Sequence, residues 1–544
     1  CIMGVFQNNL MGAAAAAASA GGGDIYPYVI TNSIRFNGTD QALEKTWGSA
    51  ASDDDKKAIS VWIKRSGASN TNSAIGSTTN TKICSASDFN ILEINTNNPT
   101  GYSDQFQYFH TGGARGNFLK AKWRDPSAWM HIVWIYNSDE STTTDRVKVY
   151  INGDQKPIGD TDLWDPDGKT TYPDSGVDTT FGKNGNEMHI ARYQYDDAGW
   201  WGGQMADFIM IDGTASISDF GETKNGVWKP VDPSGLTFGT NGFWLDFKSA
   251  SDPGNDASGN NNDFSVIGTI PTHDILGDSP TFDSDSNGGN FCTLNSIAKH
   301  STVTLSEGNL RTDCSNASIV ANVESSYGFT SGKIYFEMTN HTGSNGSYPV
   351  MTVTDAGAYN FSNTAYYGYG VNRGGDYIIN ASNTANVGSL NCSSTSDIRM
   401  FAIDFDNSKL WAGKNGTWYN TSGTSFTNST GPESGNNYIV NGWDYDVAKL
   451  FTGHNDSSCG VNFNFGQDGT FAGNKTAQGN SDATGYGNFY YTVPDGFLAV
   501  CSGNQPVADE VDPAQTDTGY PQKQFNPLLY TGDGGSSTAI TGVG

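Results

Sequence analysis

The chain has 544 residues, 36% hydrophobic and 12% aromatic, which is enough for two to four domains with cores of their own. Its 57 Asp and Glu against 30 Lys and Arg give a net charge of −27, which argues against nucleic acid, whose phosphates must be met by basic side chains. Anionic membranes are disfavoured for the same reason, and no run approaches the ~18 apolar residues of a membrane span.

Residues 1–24 stand apart. Met3-Gly4-Val5-Phe6 leads to Leu10-Met11 and then to the alanine run Ala13 to Ala18. Alanine favours helix, and Gly21-Gly22-Gly23 ends any helix it forms. The first basic residue is Arg35, so the positive leader of a signal peptide is missing. Asn8 occupies the position where a myristoylation signal wants Ser or Thr. The expectation is an assembly anchor that docks into another subunit, against the plainer alternative of a disordered tail.

From residue 25 to about 275 the pattern is that of strands. Ser33 to Asp40 reads S-I-R-F-N-G-T-D, and Ile59 to Arg65 reads I-S-V-W-I-K-R. Trp129 to Asp154 is the most informative stretch: W-M-H-I-V-W-I-Y, a polar gap, then R-V-K-V-Y-I-N-G-D. Val147, Val149 and Ile151 alternate with Arg146, Lys148 and Tyr150, the period-2 signal of a half-buried strand. Asn152-Gly153 supplies the positive φ of a tight reversal, so the stretch is expected in the middle of an antiparallel sheet. Met188 to Arg192 and Trp200 to Asp212 supply further strands. Phe243 to Phe247 is another, followed by the Asn- and Asp-rich run Ser251 to Phe264.

Pro271, Gly277 and Pro280 mark a linker, and strands resume from about 276 to 505. The informative runs are Gly332 to Met338, Tyr366 to Val371, Met400 to Trp418, Val461 to Asp468 and Pro494 to Phe497. Residues 506–544 turn polar and contain F-N-P-L-L-Y-T-G-D-G, Phe525 to Gly534. Charged residues make up only 16% and the polar remainder is turn-rich, so the fold class is all-β, as tandem antiparallel sandwiches.

These motifs also carry resemblances. The W-x-H-I-V strand with V-x-V-Y-I-N-G, together with the strands around it, resembles laminin-G-like (concanavalin A-like) lectin domains. That implies a jelly roll over residues 25–275. In that family the L-x-F…D-x-S-G-N-x-N element is an early one. Here Leu245 to Asn262 comes last, which implies either a permuted order or a strand returning beside the first. G-K-I-Y-F-E, D-F-D-N-S-K-L-W-A-G-K-N-G and N-F-G resemble a SPRY-type sandwich over residues 276–505, with Trp411 replacing the usual Phe in the core. The two modules in tandem, with L-Y-T-G-D-G behind them, resemble tail-fibre-like proteins of marine bacteriophages. This implies a virion fibre assembled in the host cytoplasm, a homotrimer, and a further module opening within 506–544.

Catalysis is not expected. The E-x-D-x-x-E strand of glycosidases on lectin-type sandwiches is absent, and Met338 and Thr339 follow Glu337 where a second carboxylate is needed. Glu337 therefore reads as a surface or edge residue. His110, His131 and His189 are scattered, with neither a nucleophile elbow nor H-E-x-x-H.

Asp252, Asp256, Asn260 and Asp263 gather hard oxygen donors suited to Ca²⁺, with Asp40 and Asp246 as supplementary ligands. The same residues also build plain Asx turns. For glycan or other surface ligands the candidates are Tyr193, Tyr195 and Trp200, then Tyr366, Tyr367 and Trp443, aromatics among Gly and Asp. Core packing is the alternative for each and the better reading for Trp201 and Tyr369. Trp200 is expected to stand exposed after Asp197-Ala198-Gly199.

The partners expected are other virion proteins through residues 1–24 and a host-surface glycan or protein. The alternative is a structural decoration or connector without a receptor. Seven cysteines without C-x-x-C suggest a reducing site of assembly, with Cys292–Cys314 and Cys459–Cys501 as conceivable pairs.

Overall fold

The computed structural model describes residues 26–505 apart from 68–80, 88–89, 95–103, 111–113, 116–118, 165–171, 196–198, 225, 284–285, 315–320, 343–349, 356–367, 373, 380–381, 393 and 455–459. Residues 1–24, Tyr366, Tyr367 and residues 506–544, all named above, lie outside the described residues.

The chain is all-β and folds as antiparallel sandwiches, and among the described residues helix is confined to single 3-10 turns. In the first sandwich one sheet runs Asp154–Gln155, Val147–Ile151, Met130–Asn137, Lys56–Arg65, Gly202–Asp212, Ser33–Asn37, Ile275–Leu276, with Phe243–Leu245 alongside Gly202–Asp212. The facing sheet runs Ser265–Ile267, Ala42–Thr46, Glu187–Ile190, Thr81–Ala86, Asn90–Ile94, Phe106–His110, Ala114–Arg115. Between them lies a core that includes Trp47, Trp134, Trp201, Phe208 and Phe243.

The expected hairpin is present. Val147, Val149 and Ile151 are buried while Lys148 and Tyr150 are half-buried, as the alternation required. Asn152 and Gly153 both have positive φ, at 50° and 78°. Gly153 is needed twice over, because a Cβ there would stand 2.1 Å from the Trp228 ring. The hairpin does not lie mid-sheet, however. Only Asp154–Gln155 flanks it on one side, and the centre is Lys56–Arg65 and Gly202–Asp212, which are buried on both faces.

The late strands return to the early ones. Phe243–Leu245 pairs with Gly202–Asp212, while Ser265–Ile267 pairs with Ala42–Thr46 and Ile275–Leu276 with Ser33–Asn37. The Phe243–Leu245 strand therefore does not itself return beside the first strand; two short strands after it return to the first two, one in each sheet.

In the second sandwich one sheet runs Leu294–Lys299, Ala321–Phe329, Ala448–His454, Val350–Asp355, Tyr369–Val371, Asp376–Ile379, Ser382–Asn386. The other runs Val303–Ser306, Arg311–Cys314, Gly460–Asn464, Lys333–Thr342, Ile398–Asp404, Lys409–Lys414, Thr417–Tyr419, Ser425–Phe426, with Val440–Asn441 alongside Lys409–Lys414. Its cores include Phe336, Phe401, Phe463 and Trp443, and on the opposite face Tyr335, Trp411 and Phe489. Trp411 is fully buried and donates its indole N–H to Asn436 O at 2.6 Å.

Two buried cations cross from the first sandwich into the second. Arg35 meets Asp274 at 2.7 Å, Glu307 at 3.0 Å and Asp468 at 3.5 Å. Lys64 donates to Asp278 at 2.8 Å, Asn290 at 2.7 Å and Phe291 O at 2.9 Å. Cys292 is a buried thiol 3.7 Å from Ser326 Oγ, so the Cys292–Cys314 bridge does not form. Cys501 is likewise a buried thiol, and Cys459 lies outside the described residues. No described helix is long and apolar enough to cross a membrane.

Candidate functional site

Candidate residues from the sequence separate on the structure into an outer sheet face, a loop and a core. The outer face belongs to the sheet that contains Glu187–Ile190. Met188 and Ile190 point into the core, so Glu187 and His189 share the opposite face, and His189 pairs in register with Glu44 on one side and Ser85 on the other. At the end of that strand the chain turns outward. Lys82 forms an ion pair with Glu93, and its ammonium lies 5.3 Å from the Tyr193 ring. Tyr193 meets Tyr195 edge to face at 5.5 Å, and Gln194 reaches Ser87 Oγ at 3.1 Å. Tyr195 is 52% exposed, unusual for a ring of its size.

Trp200 is not part of this ledge. It is 6% exposed and belongs to the core, with the Arg192 guanidinium 4.9 Å over its ring. Gly199, at φ 67°, turns the chain inward just before it, so its loop neighbours were a poor guide to its own position. Trp443 is also a core residue, 5% exposed and packed against Phe405 and Tyr369. Trp201 is fully buried, and Tyr369 is half-buried between Trp443 and Tyr445, both as the core reading required.

The Asp252 to Asp263 loop is knitted by its own side chains. Asp256 accepts from Trp244 N, Ser258 N, Ser258 Oγ and Asn262 N, all at 2.8 to 2.9 Å. Asp263 accepts from Asp256 N at 2.8 Å, and Asn260 donates to Gly239 O and Gly242 O. Asp252 is exposed. Asp40 accepts from Asn37 at 2.6 Å and Asp246 from Lys248 N at 3.1 Å, each in its own turn.

Several features escaped the sequence. Glu337 is fully buried rather than at an edge. Its carboxyl accepts from Tyr490 N, Tyr491 N and Tyr335 Oη, each at 2.8 Å, and burial pushes it up to about 7 despite those donors. Asp207, at a bulge with φ 42°, is pushed up to about 7 by burial while accepting from the Trp244 indole at 2.9 Å. His131 stacks on Trp62 at 4.5 Å between ring centroids, accepts the Trp228 indole N–H at 2.8 Å and bonds Ser60 at 2.7 Å. Burial drives its pKa down to about 3, so the ring is neutral. The backbone donors to Glu337 lie 153 and 154 residues away, the Trp244 indole lies 37 residues from Asp207, and Ser60 and Trp228 lie 71 and 97 residues from His131, so no local motif announces these sites.

Comparison with known proteins adds fold neighbours only. No family model matches the chain, and no curated protein does. Among solved structures it is similar to the SPRY domain of human HERC1, at 14% identity over 30% of this chain and 91% of that one, TM-score 0.23. It is similar to a candidate carbohydrate binding protein from Bacteroides ovatus, at 16% identity and TM-score 0.30, covering 45% of this chain and 58% of that one. A heptameric SAP-like pentraxin from Limulus polyphemus matches at 12% identity and TM-score 0.24, over 35% of this chain and 80% of that one.

Proposed function

We propose that this chain is a non-enzymatic attachment protein of a bacteriophage particle, a tail or head fibre that binds glycan on the host surface. The observation that carries the binding reading is Tyr195. It is 52% exposed and buttressed by Tyr193, which is itself set over the Lys82 ammonium. An exposed aromatic face beside fixed polar groups suits the apolar face and hydroxyls of a sugar ring. The virion assignment is supported by the sequence resemblance alone: the order of the two modules and the Phe525 to Gly534 segment. It carries with it assembly in the host cytoplasm, docking through residues 1–24 and a homotrimer.

The test is retention of the purified chain on a glycan array and on bacterial surface polysaccharide, comparing wild type with Tyr195→Ala. The expected outcome is at least a tenfold loss with an unchanged melting temperature. Equal retention of the two proteins would move binding away from this ledge, and no retention of wild type on any glycan would overturn the reading.

One observation favours the alternative of a purely structural decoration or connector. The Arg35 and Lys64 contacts fasten the two sandwiches with buried charge, which suits a stiff spacer. A wild type that retains no glycan and is required for particle assembly would favour that alternative.

A further inference from the structure

Upstream of the tyrosine ledge, the same sheet face holds a group of donors that the glycan reading does not use. His189 is 3% exposed, yet neither of its ring nitrogens has a hydrogen-bond partner. Leaving such a group unpaired is costly, so its surroundings should offer a partner. Nε2 instead points at two carboxylates, 3.4 Å from Glu187 Oε2 and 3.6 Å from Glu44 Oε2. Neither contact is a hydrogen bond. The three donor atoms all lie within 4.8 Å of one another.

We propose that Glu44, Glu187 and His189 form a binding site for a divalent first-row transition metal, with Zn²⁺ the best fit. Bonds of about 2.0 to 2.1 Å in a tetrahedron put neighbouring donors about 3.3 to 3.4 Å apart, close to the separations found here. One imidazole and two carboxylates make a donor set for zinc or its neighbours, whereas Ca²⁺ and Mg²⁺ take oxygen alone. The backbone fixes the arrangement. Glu44 stands directly across from His189 on the adjacent strand, and Glu187 is two residues away on the same face.

Access is open, since the Glu44 and Glu187 side chains are 40% and 39% exposed around the buried ring. Arg192 is the positively charged group facing the ring, and two carboxylates against one guanidinium keep the site attractive to a cation. Three protein ligands leave a fourth position for water or for an oxygen donor from solution. His189 Nδ1 lacks the acceptor that usually orients a metal-bound ring, which places the site below the tightest structural zincs in affinity.

The site is independent of the glycan proposal and is tested without glycan. The chelator-stripped full chain is titrated with Zn²⁺ by calorimetry in the presence of excess Ca²⁺, and with Co²⁺ by visible absorption. Wild type is expected to take one more equivalent than the Glu44→Gln, Glu187→Gln double variant, and to develop Co²⁺ bands that the variant lacks. Both changes are at half-exposed, near-isosteric positions, so the variant should melt like wild type. His189→Gln should lose the same equivalent, but its buried position makes the glutamate variant the deciding one. Equal zinc uptake by wild type and the double variant, or no uptake by wild type at millimolar Zn²⁺, would overturn the proposal.

Discussion

The two sandwiches differ in how they hold most of their buried charge. In the first, Asp207 and Asp256 accept from neutral donors, but the other named buried ions face counter-ions: Lys57 and Asp212, both fully buried, meet at 2.8 Å, and Arg65 meets Asp104 at 3.2 Å. Burial alone would raise the Asp212 carboxyl, but Lys57 with the Ser52 and Asn241 amides outweighs it and holds the pKa below the usual range. In the second, buried charges are held by neutral dipoles. Asp482 accepts from Thr484 N, Tyr486 N, Ala499 N and Asn504 Nδ2 at 2.8 to 3.0 Å. Arg399 donates to Asn372 O and Leu390 O, and Glu337 has the four donors Tyr335, Asn464, Tyr490 and Tyr491. Paired ions keep their charge over a wide pH range, whereas burial pushes the Glu337 carboxyl up to about 7 despite its four donors. The two halves should therefore answer differently to the loss of a single buried charge.

The largest effect is expected where the two styles meet. Arg35→Met leaves Asp274, Glu307 and Asp468 facing one another without their common cation. Breaking a buried pair from one side costs about 3–5 kcal/mol. Calorimetry should show this loss, and the thermal transition should split as the sandwiches uncouple. A single transition at the wild-type temperature would mean that the interlock carries no coupling.

Glu337→Gln should come next. At about pH 5 it is expected to cost about 1–3 kcal/mol, because an amide nitrogen would face the Tyr490 or Tyr491 N–H in place of an acceptor. The pH trend is a separate prediction. With a folded pKa of about 7 above a reference value of 4.5, the native state binds more protons between those limits. Stability from this group is thus complete below about pH 4.5 and is lost as pH rises through about 7. Urea melts at several pH values should show the Glu337→Gln penalty shrinking towards neutral pH. A penalty that grows with pH would show the four donors outweighing burial. His131 runs the other way: its pKa is depressed to about 3, so its contribution is present above the reference 6.5 and is lost as pH falls towards 3.

What was legible in the sequence follows from the range of the interactions involved. Alternation in Val147–Ile151 and the Asn152-Gly153 turn are local, and they gave that hairpin directly. The position of the hairpin in its sheet depends on which distant strands lie beyond it, so it was misjudged. Glu337 looked like an edge residue because its clamp comes from Tyr490 and Tyr491, more than 150 residues away. His189 and Glu44 are 145 positions apart and meet only through strand register, which no spacing rule encodes. Trp200 and Trp443 failed as surface candidates for a related reason: loop composition describes a residue's neighbours along the chain, while burial depends on what packs over it.

The smallest effect is expected at the Asp252 to Asp263 loop. The proposal remains that it takes Ca²⁺ through Asp252, Asp256, Asn260 and Asp263. Asp256, however, already satisfies four donors of the loop and of Trp244, so the loop is ordered by its own hydrogen bonds and an ion adds to a formed structure. A weak extracellular-type site has a Kd of about 10⁻⁴ to 10⁻³ M. At a Ca²⁺ concentration equal to Kd, linkage contributes only about 0.4 kcal/mol. Thermal melting in EGTA and in excess Ca²⁺ should therefore give a small upward shift in wild type. The shift should vanish in Asp252→Ala with Asp263→Ala, whose carboxylates are the exposed members of the set. An equal shift in both proteins would place the metal elsewhere. No shift in either would leave the loop as an Asx turn that needs no ion.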